Sequence, residues 1–133
     1  MSYDNDLDIS VLNGRHIVSV DGLEKGSDEI AFTCSDGSSW RMLHVQDCCE
    51  SVLVEDVVGY PSDLADATVI DARHEVGEAD PAGYVPDGYR DSYTWTFYVI
   101  QTNKGAVTIR WLGESNGYYS EGVDFECTRK AAA

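Results

Sequence analysis

Positive charge is scarce in this sequence. Nine Lys and Arg residues stand against 24 Asp and Glu, a formal net charge of −15 on 133 residues. A surface of that sign repels phosphate backbones and anionic lipid headgroups, so direct binding to nucleic acid or to a membrane is not expected. Nor is there a run of about 20 apolar residues of the kind that spans a bilayer. The acidic start Met1-Ser2-Tyr3-Asp4-Asn5-Asp6 lacks the basic and apolar regions of a secretory signal. Cysteine is sparse. Cys34, Cys48, Cys49 and Cys127 could form two pairs, but without an export signal a reducing cytoplasm and four free thiols are expected. A glycine-rich phosphate loop, a G-x-S-x-G elbow, an H-E-x-x-H helix and a D-x-D-x-D-G calcium loop are all absent. Their absence leaves no ready-made reaction in the chain, and neither a metal nor a cofactor is expected.

What is present is a β pattern. Hydrophobic residues make up 43% of the chain, enough for one globular core. Residues 1–130 read as a single domain, and Ala131-Ala132-Ala133 as a vector-derived tail. Ser92 to Thr102 alternates Tyr93, Trp95, Phe97 and Val99 with Thr94, Thr96, Tyr98 and Ile100, leaving something to bury on both faces. Asn103-Lys104-Gly105 supplies a turn, and Ala106 to Leu112 returns with Val107, Ile109 and Trp111 on one side. A second hairpin runs from Glu29 to Cys34, through Asp36-Gly37, to Ser39–Val45. Further strands are predicted at His16–Val20, at Glu50–Val58 with Val52, Val54 and Val58 in phase, and at Thr68–Val76 with Ile70, Ala72 and Val76 in phase. A last strand is placed after Asn116-Gly117, with Tyr119, Val123 and Phe125 facing one way. Pro61 to Asp66 allows one short helical turn capped by Ser62, and Gly77 to Asp91, broken by proline and glycine, reads as a long exposed loop. The fold class predicted is mainly β: an antiparallel sandwich or curled sheet of about seven or eight short strands, with at most one short helix.

Acid is concentrated. Between Asp47 and Asp91 twelve carboxylates face only Arg73 and Arg90, so this third of the chain holds ten of the fifteen net negative charges. Asp63, Asp66, Glu75 and Glu78 are the candidate members of an acidic contact face.

Two local motifs could carry chemistry. His44-Val45-Gln46-Asp47-Cys48-Cys49-Glu50 packs an imidazole, two thiols and two carboxylates into seven residues. If extended, it places His44, Gln46, Cys48 and Glu50 on one face. A thiol beside an imidazole suits nucleophilic catalysis, yet the adjacent carboxylates oppose thiolate formation. Zinc could draw on Cys34, His44, Cys48, Cys49 or Cys127, but cysteines two or three residues apart are missing, and a vicinal disulfide would close a strained ring. The structural alternative is a buried cysteine with polar neighbours bonding a turn. The second motif, Trp111 to Glu121, reads as a strand end and an Asn-Gly turn; its Asn116, Tyr118, Tyr119 and Glu121 are what a recognition surface would use. His74, on the apolar side of its strand, reads as a core histidine.

The runs HVQDCCESVLVED (His44 to Asp56), TWTFY (Thr94 to Tyr98) and TIRWLGESNGYYSEGVDF (Thr108 to Phe125) resemble a widespread family of small phage and prophage proteins of unknown function. The likeness covers roughly residues 30 to 126, with a more acidic Val58–Ala82 stretch here. The resemblance implies a bacteriophage protein in the host cytoplasm and carries over no catalytic residue. The expectation that follows is a phage-encoded interaction protein binding a host protein through its acidic surface, as an inhibitor of a defence or nucleic-acid enzyme. The other expectation is a small enzyme or metal-binding module centred on His44, Asp47, Cys48 and Glu50.

Overall fold

The aromatic alternation of Ser92–Thr102 builds the middle of the sheet. In the computed structural model, which describes residues 7–86 and 88–131, this segment pairs residue for residue with Ala106–Ser115 across the Asn103–Gly105 turn. The Met1–Asp6 start, Asp87 and the last two alanines lie outside the described residues. Eight strands follow in chain order: β1 His16–Asp21, β2 Glu29–Cys34, β3 Ser39–Leu43, β4 Ser51–Val58, β5 Ala67–Gly77, β6 Ser92–Thr102, β7 Ala106–Ser115 and β8 Asp124–Arg129. All pairings are antiparallel, in the order β4-β7-β6-β5-β1-β2-β3-β8. Two 3-10 turns, Ile9–Leu12 and Pro61–Asp63, are the helical elements among the described residues.

The sheet consists of two halves joined by a narrow seam, since β1 meets β5 only at His16↔Thr68 and Ile17↔Ala67. Across this seam the halves curl toward each other. Gly26 N–H donates to the Val54 carbonyl at 2.7 Å, and Val54 N–H to the Ser27 carbonyl at 2.8 Å, so the loop after β1 runs along the β4 edge. Ile30, Phe32, Met42 and Phe125 from one half and Val54, Ile100, Ile109 and Trp111 from the other share one buried cluster. Each such side chain contributes about 1.5–3 kcal/mol on removal from water. The mainly β, curled architecture is the one predicted. Gly37, at φ 88°, makes the tight β2–β3 turn that its Asp-Gly sequence proposes.

Several phases differ from the simple alternation, and β-bulges are the reason. A register shift between Val69 and Asp71 makes Ile70 the extra residue, so Val69 and Ala72 are buried while Ile70 is exposed. The Asn13 side chain accepts the Ala72 N–H at 2.8 Å. Beyond that point His74 and Val76 are exposed, so His74 is not a core histidine. A second shift, between Val54 and Asp56, leaves Val52 and Val54 inside and turns Val58 out. The short helical turn has Tyr60 at its cap position, with the Asp63 carboxylate accepting the Tyr60 N–H at 3.1 Å; Ser62 lies inside the turn. Tyr119 precedes the last strand, which begins at Asp124.

On β6 the core face is Thr96, Tyr98, Ile100 and Thr102. Trp95 points to the opposite face and is still fully buried, because the loop predicted to be exposed folds over it. Tyr84 meets the Trp95 ring edge-on at 4.8 Å, and Asp80 accepts the indole N–H at 2.9 Å. Arg90 fixes that acceptor with two hydrogen bonds to Asp80, at 3.0 and 2.7 Å. Directly opposite one another inside the sheet, Thr96 Oγ1 and Trp111 Nε1 are buried without a hydrogen-bond partner among the described residues. Thr96→Val keeps the shape and removes an unsatisfied hydroxyl. It is expected to leave stability unchanged or raise it by up to about 1 kcal/mol, measured by urea unfolding. A loss above about 1.5 kcal/mol would show that the hydroxyl is satisfied in solution.

Candidate functional site

Strand register gathers the sequence motifs at one end of the sheet. Ser51 pairs with Glu114, Ser115 with Ser92, and Gly77 with Trp95, so the segments 44–50, 78–91 and 116–123 emerge together. The His44 motif and the Tyr118 motif are thereby brought into contact through a hydrogen bond between His44 and Gly122, 78 residues apart.

The His44–Glu50 segment is a loop with a bend at Cys48-Cys49, so the one-faced arrangement that an extended chain would give does not apply. Its organiser is the Glu50 carboxylate, whose side chain is fully buried. One oxygen accepts from His44 Nε2 at 2.7 Å and from the Asp47 N–H at 2.9 Å. The other accepts from the Cys48 N–H at 2.8 Å and the Gln46 amide at 3.2 Å. That amide also reaches the Glu50 carbonyl at 2.7 Å. His44 Nδ1 lies 2.7 Å from the Gly122 carbonyl, which can only accept, so Nδ1 carries a proton. The His44 hydrogen bond does most to hold the Glu50 carboxyl down, at about 2; burial opposes this, and the Cys48 and Asp47 N–H groups reinforce it. Glu50 is therefore ionised at neutral pH, and both ring nitrogens of His44 are engaged, one by Glu50 and one by the Gly122 carbonyl. Neither is a free base, and no thiol joins the network. Cys48 and Cys49 are bonded to each other in the structure, while Cys34 and Cys127 are free and buried. This corrects the expectation of four free thiols: the bend turns both sulfurs to one side, where a strand would oppose them. Among the described residues no group of three or more His, Cys, Asp or Glu side chains is arranged to hold a metal.

The second motif is organised in the same way by Glu121. It is buried, and accepts from Thr94 Oγ1 at 2.8 Å and from Ser115 Oγ. Burial works against its ionisation, but the hydroxyls of Ser115, Thr94 and Ser92 outweigh it and hold the carboxyl below its ordinary range. Ser115 Oγ in turn accepts the Gly117 N–H at 2.9 Å, and Asn116 Oδ1 accepts the Tyr118 N–H at 3.0 Å. The turn so fixed displays Tyr118, 83% exposed, with Tyr119 against it at 5.2 Å between ring centres. Gly113 is the residue that sequence reasoning passed over. A Cβ there would lie 2.2 Å from the Glu121 carbonyl oxygen, so only glycine lets the returning loop seat on β7. Its place inside the Trp111 to Glu121 motif was the available signal.

The acidic candidates do not form one face. Glu75 and Glu78 are exposed near the motif end, whereas Asp63 and Asp66 belong to the turn between β4 and β5 at the opposite end. Both of the latter have local work. Asp63 bonds the Tyr60 N–H, and Asp66, at φ 55°, holds His16 Nε2 at 2.7 Å, a bond that lowers the Asp66 carboxyl.

A family model described as a domain of unknown function, DUF7448, matches residues 10–125. No curated protein and no solved structure matches the chain.

Proposed function

The chain is a member of the DUF7448 family, a domain of unknown function, and from its site we propose that it is a protein-interaction module that presents its motif end to a partner. The observation that carries this reading is how the reactive-looking groups are used. His44, Glu50 and Glu121 spend their hydrogen-bonding capacity on holding loops, while the side chain displayed beside them is Tyr118. Rigid tyrosine on a turn beside carboxylates offers contact area at low entropic cost. The likeness of the motif runs to small phage and prophage proteins supports a phage origin, and hence a host protein as partner in the bacterial cytoplasm. The acidity supports a partner with a basic surface, which includes nucleic-acid and defence enzymes that handle DNA. No helix of the described residues is long and apolar enough to cross a membrane.

Affinity capture from a bacterial lysate tests the proposal, with the whole chain as bait and Tyr118→Ala as control. The parent is expected to retain a specific host protein in about 0.05 M salt and to lose much of it in about 0.5 M. Tyr118→Ala, which touches no core, should melt like the parent and retain that protein at least about tenfold less well. Capture of nothing beyond a bead control, or equal capture by the variant, would refute the reading.

A further inference from the structure

The outer side of β4 carries a feature that neither motif announces. Three concavities, of about 380, 460 and 680 Å³, follow one another along this strand. The first and second share Ser51 and Leu53, and the second and third share Lys25 and Glu55, so they form one continuous groove. Between them they are lined by every β4 residue from Ser51 to Asp56. At about 3.3 Å per residue this is room for an extended segment of about six residues.

The groove has an apolar floor and acidic walls. Leu53, 39% exposed, and its cross-strand partner Leu112 form the floor, and Val85, 81% exposed, stands at the far end. Internal pairing removes part of the charge. Glu29 is held by Arg41 at 3.3 Å and Glu50 by His44, while Arg110 is shared between Glu55 and Asp56. Asp28 and Glu114 make no ion pair among the described residues. With the surplus carboxylate of the Glu55–Asp56 pair, they outweigh the one remaining cation, Lys25. The edge strand adds backbone groups. Val54 directs its N–H and C=O away from β7, to Ser27 and Gly26. By strand alternation Val52 directs its own the same way, at the His44 end of the groove.

We propose that this groove binds an extended segment of the partner in which apolar side chains alternate with lysine or arginine. The apolar positions rest on Leu53 and Leu112. The cations reach Asp28 and Glu114 at one end and Asp56 at the other, and the backbone adds to the β4 edge at Val52. The proposal rests on the interaction reading above and specifies the chemistry of the partner.

A fluorescently labelled Lys-Leu-Lys-Val-Lys-Leu-Lys peptide, titrated with the whole chain and followed by anisotropy, is the direct test. A Glu-for-Lys version of the peptide is the charge control. The lysine peptide is expected to bind at least about tenfold more tightly than the glutamate one. Asp28→Lys with Glu114→Lys should weaken it at least about tenfold, and Leu53→Ser about threefold. Glu75→Lys with Glu78→Lys makes the same change in net charge outside the groove and should weaken binding less than about twofold. Equal weakening by the two lysine pairs would mean bulk charge alone and overturn the groove, as would no binding of the lysine peptide. The two readings fail separately. If the Asp28→Lys, Glu114→Lys chain still captures the host protein of the lysate experiment, the groove is wrong and the interaction module stands. If the parent captures none, the module itself is wrong.

Discussion

Trp111→Ala is expected to cost about 3–5 kcal/mol, a large share of the stability of a domain this size. Trp111 is fully buried at the centre of β7, with Val54 of β4 and Thr96 of β6 as its cross-strand neighbours. Removing the indole opens a cavity against β7, which is paired on both sides, by β4 and β6, and cannot close over it. A melting temperature about 10 °C or more below the parent is the corresponding outcome. Trp111→Phe separates packing from polarity. It forfeits part of the ring but also removes an indole N–H that is buried without an acceptor among the described residues. The two effects have opposite signs, so the phenylalanine variant should lose less than about half of what alanine loses. An alanine variant that melts within a few degrees of the parent would place the core elsewhere.

The strands that make this core were legible in the sequence because β6, β7 and β2 keep a strict period of two, and each begins or ends at a recognisable turn. Legibility failed where one residue was inserted. The bulges at Ile70 and Glu55 leave no mark in composition, yet each turns the residues that follow to the other face, which is why Ile70 and Val58 are outside. Trp95 shows a different limit. A tryptophan on the outer face of a sheet signals cover, but the cover is Tyr84 and Asp80 from a proline- and glycine-rich loop that looks open by composition. At the site, the residue types were visible and their partners were not. Sequence placed His44 near Glu50, but not near Gly122, and only a distant carbonyl facing Nδ1 converts an apparent base into a strut bonded at both ring nitrogens. The acidic stretch misled for a related reason: adjacency along the chain put Asp66 and Glu75 together, whereas β5 carries them to opposite ends of the sheet.

That strut gives the protein an acid limit. Glu50 titrates near 4.5 in an unfolded chain and is held at about 2 in the fold, chiefly by His44. A carboxyl lowered by folding contributes stability that is present in full above its unfolded value and is lost as pH falls toward its folded one. The window is therefore between about 4.5 and 2. Asp36, Asp66, Asp80 and Glu121 are lowered as well, so their contributions have the same sign. Glu50 is distinguished by what hangs on it: protonation weakens its hold on His44 and on the Asp47 and Cys48 N–H groups at once, freeing the 44–50 loop from the Gly122 segment. Denaturant unfolding at pH 7, 4.5, 3 and 2 checks this against Glu50→Gln, which keeps the shape and cannot ionise. The parent should be clearly the more stable at the two higher values, and the gap should shrink steadily at pH 3 and nearly vanish at pH 2, where the parent's own carboxyl is half neutral or more. A gap that stays constant across the series would mean that Glu50 acts through packing alone, and that the His44 bond is made by a neutral acid.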